Sequence, residues 1–156
     1  MDPEVRILSI RQPWVWAILA GHKRVENRSW NTAYRGPVLL HASLTIDRDA
    51  ARGMQADLGL RVPAELDVGG IIGLCNLVDV IEEDKTGRFG PWFCGPYGWV
   101  LKDPITLPRP IGIPGKLKLW KAPPEVIAEA NRQLPPARRL KISPESPTSG
   151  KTRKRS

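Results

Sequence analysis

The sequence predicts one α+β domain, a small β-barrel of five to six strands flanked by two to three helices. Its 156 residues suit a single domain with a tail, and 41% apolar residues are enough for a core. Short runs of Val, Ile and Leu alternate with turn-forming Gly and Pro, and a few stretches have helical spacing. We expect the domain to span residues 1–134 and a basic tail to occupy residues 135–156.

The N-terminal half contains three predicted strands and two predicted helices. Residues 5–10 (VRILSI) are β-branched and apolar, which favours an opening strand. A proline then opens the short apolar helix WVWAILAGH, and a glycine ends it. The alternation in KRVENRSW predicts a half-buried strand, and VLLHAS predicts the next one. The segment TIDRDAARGMQADLG has helical spacing through Ile46, Ala50 and Met54.

The C-terminal half supplies further strands and one helix. GGIIGLCNLVDVIEE is a long apolar run whose glycines weaken a helix, so we predict a bent barrel strand. Residues 85–96 form a predicted loop rich in Gly, Pro and aromatics. YGWVLKD, short segments around Ile105 and Ile111, and KLKLW follow as strands, several of them confined by prolines to edges or connections. PPEVIAEANRQL is the last predicted helix.

The net charge of +8 lies mostly in the C-terminal tail. From Arg138 onward, seven basic residues face one acid, so this stretch carries +6, whereas residues 1–137 carry only +2. The tail has almost no apolar residues and is therefore predicted to be disordered. It either adds nonspecific phosphate contacts or is a solvated tail with no specific role. The charge of the domain itself does not argue for a polyanionic partner.

Composition argues against several classes of protein and site. No apolar run approaches the roughly 20 residues of a membrane helix, and the N-terminus lacks the pattern of a signal peptide. Cys75 and Cys94 are too few for a disulfide framework or a Cys-based metal cluster, and two buried thiols in a reducing cytosol are expected. The two histidines stand in no metal-binding motif, and no nucleophile elbow, phosphate loop or dinucleotide fingerprint is present. We therefore expect a cytoplasmic protein with no membrane segment, metal or cofactor.

Two cations around one carboxylate give the strongest chemical signal, at Lys23, Glu26 and Arg28. If their strand is partly buried, Arg28 keeps Glu26 ionised, and the carboxylate can accept hydrogen bonds from base amino groups. Lys23 offers a mobile point charge for a phosphate or carbonyl oxygen. The alternative is an exposed ladder of surface ion pairs, which contributes little energy.

Aromatic residues supply the second half of a base-binding site, because bases stack on aromatic rings with about 1–3 kcal/mol each. The better pocket candidates among the tryptophans are Trp14, Trp30 and Trp92. The tryptophans expected to be mainly packing residues are Trp16, Trp99 and Trp120. A histidine pointing into a barrel, as expected for His41, is more often a core residue than a ligand or base. The full set of predicted base- or nucleic-acid-binding residues is Ser9, Arg11, Gln12, Trp14, Lys23, Glu26, Arg28, Trp30, Tyr34, His41, Trp92 and Tyr97.

Several motifs follow one another in order over residues 5–122. A strand leads to Gln-Pro-Trp at a helix start, then to Gly-x-Lys-x-x-Glu-x-Arg, then to Tyr-Arg-Gly-Pro before a His-Ala strand, and later to FCGPYGWVL and GKLKLW. In this order the motifs resemble the ASCH domain family of the PUA-like superfamily. The resemblance implies a barrel of five or six strands with a cleft lined by the Lys-x-x-Glu-x-Arg strand. It also implies binding of RNA, DNA or modified nucleobases, as in the related PUA, YTH and EVE domains.

The same resemblance implies an enzymatic alternative, since one branch of the family hydrolyses N4-acetylcytidine and another is associated with ribonuclease activity. In the amidohydrolase branch a Lys, a Thr and a Glu are the proposed catalytic groups. Lys23 matches that lysine, but Glu26 stands at the threonine position, and the third group has only Asp79 or Glu82 as candidates. As an enzyme, the chain would use Lys23 as a base, helped by the nearby positive charge of Arg28, with Glu26 as its proton partner.

We therefore predict a binding module for RNA, DNA, or a nucleoside or nucleotide, because the predicted cleft contains no credible nucleophile. A small enzyme acting on modified nucleosides or RNA is the alternative hypothesis. A third hypothesis is a protein-interaction adaptor that holds an acidic peptide in the same cleft.

Overall fold

Six strands and three helices make up residues 4–141, the part of the chain that the computed structural model describes. The strands are β1 (Arg6–Gln12), β2 (Val25–Arg28), β3 (Gly36–Ile46), β4 (Gly70–Ile81), β5 (Tyr97–Gly112) and β6 (Leu119–Lys121). The helices are α1 (Trp14–Leu19), α2 (Arg48–Leu58) and α3 (Pro124–Gln133), and short 3₁₀ turns lie at Gly90–Trp92 and Pro136–Arg138. The predicted α+β class and its numbers of strands and helices are confirmed.

The sheet is open, so the predicted closure into a barrel is wrong. The strands lie in the order β2–β5–β4–β3–β1–β6, and within residues 4–141 the two outer strands do not pair with each other. β1 and β3 are parallel, and all other neighbours are antiparallel. β6 pairs only with Arg6–Leu8 of β1, so the edge of β1 from Ser9 onward has no strand beside it in this part of the chain.

The sheet curls, so that β1 and β2 approach each other although they are not neighbours in the strand order. Nη2 of Arg28 on β2 donates a 3.0 Å hydrogen bond to the main-chain O of Ser9 on β1. Leu8 and Ile10 of β1 belong to the same apolar cluster as Trp99 of β5. A gap remains between the two strands, and its walls are the inner faces of the curled sheet.

Helix α1 packs closely on this sheet through a glycine. A Cβ atom at Gly73 on β4 would lie 2.6 Å from Cδ1 of Leu19 on α1 and 2.9 Å from the main-chain O of Ile105. A side chain at position 73 would therefore push the helix away from β4. Helix α3 covers another apolar cluster, to which it contributes Val126 and Ala130.

The segments predicted separately around Ile105 and Ile111 belong to one long strand, β5. Register shifts against β4 let the strand continue where the pairing is interrupted, which local sequence patterns do not reveal. Pro104, Pro108 and Pro110 lie beyond the part of β5 that pairs with β2, where β4 is its only strand partner within the described residues. The expectation that the prolines mark an edge is confirmed. On the edge side of a strand there is no neighbouring strand to pair with, so a residue without an N–H group is tolerated.

The first part of the predicted tail packs on the domain. Leu140 is buried, and Nδ2 of Asn131 on α3 donates a 2.8 Å hydrogen bond to its main-chain O. The main-chain N of Leu140 in turn donates a 2.7 Å hydrogen bond to Oδ1 of Asn131. These contacts place residues 135–141 with the domain. The rest of the tail, for which disorder is predicted, lies outside the described residues.

Candidate functional site

Lys23, Glu26 and Arg28 form one connected cluster. Nζ of Lys23 lies 2.7 Å from Oε1 of Glu26, and Nη2 of Arg28 lies 3.2 Å from Oε2 of the same carboxylate. The side chains of Lys23, Glu26 and Arg28 are only 3%, 11% and 22% exposed. The alternative of an exposed ion-pair ladder is therefore wrong, because that reading requires solvated charges.

The register of β2 against β5 directs the cluster inward. Glu26 lies opposite Trp99, which is completely buried. Because side chains alternate along a strand, Arg28 shares this inner face with Glu26. Lys23 precedes the strand, and its main-chain N donates a 3.0 Å hydrogen bond to the O of Ala17, so the end of α1 sets its position.

Within residues 4–141, the ammonium group of Lys23 has one donor without a partner. It donates to the main-chain O of Val25 at 2.5 Å and to Glu26 at 2.7 Å, whereas an ammonium carries three N–H groups. It also lies 5.8 Å from the centroid of the Trp14 ring, a distance at which an aromatic face attracts a cation. Lys23 is thus held as a buried donor with one N–H available to a ligand oxygen.

A cleft of 420 Å³ lies in the gap between β1 and β2, and we call it the first cleft. Its volume falls within the roughly 300–1,000 Å³ of small-molecule sites. Arg11 on β1 adds a cation to Lys23 and Arg28, so the walls carry three positive groups and one carboxylate. The residues that line it are Ser9, Ile10, Arg11, Trp14, Lys23, Glu26, Asn27, Arg28, Pro91, Trp92 and Cys94.

Asn27 is a site residue that the sequence analysis missed. Its Nδ2 donates a 2.8 Å hydrogen bond to the main-chain O of Trp92, and its Oδ1 accepts from the main-chain N of Cys94 at 2.9 Å and of Gly95 at 3.1 Å. One side chain therefore holds the loop that forms a wall of the first cleft. The available signal was a polar residue two positions after Val25, on the strand face that alternation predicts to be apolar.

The structure brings seven of the twelve predicted site residues together in the first cleft. These seven are Ser9, Arg11, Trp14, Lys23, Glu26, Arg28 and Trp92. The five that do not line it are Gln12, Trp30, Tyr34, His41 and Tyr97.

Gln12 and Tyr34 hold the main chain in place instead. Oε1 of Gln12 accepts a 3.0 Å hydrogen bond from the main-chain N of Trp16, at the start of α1. The hydroxyl of Tyr34 lies between the main-chain O of Glu4 and that of Pro37, 2.6 Å from the latter, and its single O–H donates to one of them. Burial raises the pKa of Tyr34 above its usual range, so the hydroxyl stays protonated.

His41 is buried and links β1 to the loop after β5. Its Nε2 lies 2.7 Å from the main-chain O of Ile113, and its Nδ1 lies 2.7 Å from Oγ of Ser9. Because a carbonyl only accepts, Nε2 carries a proton and donates it to Ile113, while Nδ1 shares a hydrogen bond with the Ser9 hydroxyl. With both nitrogens occupied, His41 has a structural role.

Trp30 and Tyr97 pack beside the first cleft. The ring of Trp30 stands edge-on to that of Trp99 with 4.8 Å between centroids, and Nε1 of Trp99 donates a 3.3 Å hydrogen bond to the main-chain O of Trp30. Tyr97 lies opposite Arg28 in the β2–β5 register and packs against the same apolar cluster. Both residues pack in the apolar cluster that contains Trp99, and neither lines the first cleft.

The two cysteines differ in their environment. Cys75 is buried and Cys94 is exposed, and both are free, so the expectation of two buried thiols is wrong for the residue on the cleft loop. Burial raises the pKa of the Cys75 thiol to about 12. Within residues 4–141, no three His, Cys, Asp or Glu side chains are grouped in a way that could hold a metal ion. In the same part of the chain, no helix combines the length and apolar character needed to span a bilayer.

Comparisons with known proteins agree with this architecture. A family model described as ASCH domain matches residues 8–103. Activating signal cointegrator 1 from Homo sapiens and from Mus musculus are 25% and 24% identical to this chain over 138 residues, which is 81% of this chain but only 24% of each relative. The crystal structure of a mutant of ZmASCH from Zymomonas mobilis has a TM-score of 0.50 at 15% identity, with 97% of this chain and 96% of that chain covered. The last similarity concerns the fold alone.

Proposed function

We propose that the first cleft binds a base of RNA, of DNA or of a free nucleotide. The chain belongs to the ASCH domain family and has its PUA-like fold. The observation that carries the proposal is that Trp14 and Trp92 line the same space as the buried carboxylate of Glu26. A nucleobase combines a flat apolar face with a polar edge, and this space offers a partner to each.

The aromatic rings serve the face of the base. Trp14 and Trp92 are half-buried, so each ring is fixed by packing and still partly accessible from the cleft. Stacking on such a ring contributes about 1–3 kcal/mol per base and is tolerant of base identity. The rings therefore supply affinity more than discrimination between bases.

The ionic cluster serves the polar edge. Glu26 has about four acceptor positions on its two oxygens, and Lys23 and Arg28 each occupy one. The remaining positions can accept from an exocyclic amino group, while the free N–H of Lys23 can donate to a base carbonyl. A base edge with neighbouring donor and acceptor atoms suits this arrangement.

Recognition is better supported than catalysis. The amino group of Lys23 is engaged by the buried carboxylate of Glu26 and by the main-chain O of Val25, so in this structure it serves as a hydrogen-bond donor. Asp79 and Glu82, the candidates for a third catalytic group, are exposed and do not line the first cleft. Glu26 at the expected threonine position is itself engaged by two cations.

The proposal extends to the compartment and the tail. We place the protein in the cytoplasm because Cys75 and Cys94 are both free, as thiols in a reducing compartment are. The +6 charge from Arg138 to the C-terminus is proposed to add nonspecific contacts with phosphates.

Fluorescence anisotropy with labelled single-stranded RNA and DNA hexamers tests the proposal. Trp14→Ala is expected to weaken binding about 5- to 150-fold, the equivalent of about 1–3 kcal/mol. Trp16→Ala is the matched control, since Trp16 is a half-buried tryptophan of the same helix that lines a different cleft. Lys23→Ala should also lower the affinity. Equal affinity of wild type, Trp14→Ala and Lys23→Ala would contradict the proposal.

Mass spectrometry addresses the enzymatic alternative directly. The protein is incubated at high concentration with N4-acetylcytidine and, separately, with single-stranded RNA. We expect both compounds to be recovered unchanged. Product that forms with wild type and not with Lys23→Ala would overturn the assignment as a binding module and support the enzyme.

A further inference from the structure

A second, larger cleft of 780 Å³ adjoins the first one. The two share Ser9, Arg11 and Arg28 as lining residues, so they adjoin each other at these three residues. The other walls of the second cleft come from the end of β3 and from residues 113–118, the loop between β5 and β6. We call this second space the basic channel.

The basic channel carries only positive charge. Its lining includes four cations, Arg11, Arg28, Lys116 and Lys118, and no Asp or Glu. Within residues 4–141, Arg11 and Lys116 take part in no ion pair, and Lys118 has only the ring of Trp30, 5.7 Å from its Nζ. Unneutralised cations along one wall attract an anionic ligand.

We propose that the basic channel binds the sugar–phosphate backbone of a single strand, one of whose bases occupies the first cleft. This inference rests on the proposed function and narrows the ligand from a nucleoside or mononucleotide to a polynucleotide. A mononucleotide fills the first cleft and leaves Lys116 and Lys118 without a partner.

Arg28 is the connection between the two spaces. The hydrogen bonds of its guanidinium within residues 4–141 all use Nη2, which contacts Ser9 and Glu26. Nη1 therefore has no partner within the described residues, and Arg28 lines both clefts, as does Arg11. Guanidinium groups bind phosphate oxygens through several donors at once, which suits the phosphate next to the bound base.

The loop that carries the two lysines is held firmly against β1. Its first residue accepts the hydrogen bond from His41, and a Cβ atom at Gly115 would lie 2.8 Å from Oγ of Ser9 and 2.9 Å from Cε1 of His41. Only glycine allows so close an approach. The channel wall is thus built in advance of ligand binding, which lowers the ordering cost of binding.

Two exposed leucines complete the channel. Leu44 is 79% exposed and Leu117 is 89% exposed, and both line it. Apolar side chains among cations suit a sugar or a second base beside its phosphate.

The test compares ligand length with charge removal. Anisotropy titrations use a 5′-mononucleotide and a hexamer of the same base, in RNA and DNA versions, with wild type and the double variant Lys116→Gln/Lys118→Gln. The matched control is Lys85→Gln/Lys102→Gln, which removes the same charge from exposed positions outside both clefts. Equal unfolding midpoints confirm that both double variants are folded.

We expect the channel variant to lose hexamer affinity only. For single strands, each lost phosphate contact lowers the magnitude of the slope of log K against log[salt] by about 0.7. Two lost contacts therefore lower it by about 1.4, which corresponds to about a 10- to 30-fold loss of hexamer affinity at 0.1 M salt. Mononucleotide affinity should stay within about twofold. A difference between the RNA and DNA arms identifies which backbone the channel prefers.

Two outcomes would overturn the channel. In the first, Lys116→Gln/Lys118→Gln binds the hexamer with unchanged affinity and an unchanged salt slope. In the second, the control variant loses as much hexamer affinity as the channel variant. Neither outcome bears on the first cleft, which Trp14→Ala tests separately with the hexamers. Failure of the channel and failure of the first cleft are therefore distinguishable.

Discussion

Nζ of Lys23 lies 2.7 Å from Oε1 of Glu26, and both side chains are almost completely buried. Arg28 occupies the other oxygen of the carboxylate at 3.2 Å. The two members of the buried pair are therefore not equivalent. Loss of Lys23 leaves the carboxylate with Arg28, whereas loss of Glu26 leaves two cations close together, one of them almost completely buried.

The first prediction is that Glu26→Ala destabilises the domain more than Lys23→Ala. Removing one member of a buried pair costs about 3–5 kcal/mol, which we expect for Glu26→Ala. Lys23→Ala should cost about 1–3 kcal/mol, the range of hydrogen bonds to charged groups, because Arg28 remains. Urea unfolding measures both values. Glu83→Ala is the control, since Glu83 faces Lys85 in an exposed pair at 3.9 Å and should change stability by less than about 1 kcal/mol. A larger loss of stability in Lys23→Ala than in Glu26→Ala would contradict the conclusion that Lys23 and Arg28 share the Glu26 carboxylate.

The second prediction concerns Asn27 and the loop it holds. Asn27→Ala removes partners from the main-chain groups of Trp92, Cys94 and Gly95. We expect a loss of about 1–3 kcal/mol and faster hydrogen exchange at the amides of Cys94 and Gly95. Asn31→Ala serves as the control, because Asn31 is exposed and, among the described residues, its side chain bonds only the next residue. Unchanged exchange at both amides would show that something else holds the loop.

The third prediction contrasts two glycines. Gly73→Ala places a Cβ against Leu19 and Ile105 and should destabilise the domain by about 1–3 kcal/mol, as overpacking does. Gly53 lies inside helix α2, and its Cβ would meet nothing closer than 3.9 Å. Gly53→Ala should therefore stabilise the domain by about 0.5–1 kcal/mol. Thermal unfolding measures the change in stability of both variants. A change of the same sign in Gly73→Ala and Gly53→Ala would argue against the tight packing of α1.

The fourth prediction concerns alkaline pH and Cys75. Burial raises the pKa of its thiol from the ordinary value of 9.0 to about 12. The unfolded chain therefore releases this proton at lower pH than the folded one, so its contribution to stability is present below pH 9 and is lost between pH 9 and 12. Urea unfolding at several pH values should show a shallower decline for Cys75→Ala than for wild type. Cys94→Ala, which removes the exposed thiol, should show the same decline of stability with pH as wild type. The same decline in Cys75→Ala would contradict the raised pKa of the Cys75 thiol.

Thiol labelling gives an independent check of the same environment. The thiolate is the reacting species, so exposed Cys94 should react in the native protein at pH 8 and Cys75 only after denaturation. Fast reaction of both thiols in the native protein would show that Cys75 is accessible.

Local patterns predicted most of the elements correctly. The alternation around Val25 placed β2, and the spacing of Ala50 and Met54 placed α2, because both signals depend only on neighbours in the chain. The continuity of β5 could not be predicted in this way. It depends on bulges in its pairing with β4, a strand some 25 residues away.

The candidate site was predicted in part for the same reason. Lys23, Glu26 and Arg28 were found from spacing along one strand. Gln12 and His41 were predicted to be site residues because they are polar. The sequence does not show their hydrogen-bond partners, which are the main-chain groups of Trp16 and Ile113. Asn27 was missed because its partners lie on a loop more than 60 residues later.

The sequence by itself determined the α+β class and grouped Lys23, Glu26 and Arg28 on one strand, with Glu26 and Arg28 on the same face. Only the tertiary structure decided that this face is buried, that the sheet stays open, and that Ser9 and Arg11 meet Arg28 across the gap. The physical reason is that period and spacing act between near neighbours, whereas burial and the meeting of β1 with β2 follow from the curl and register of the whole sheet.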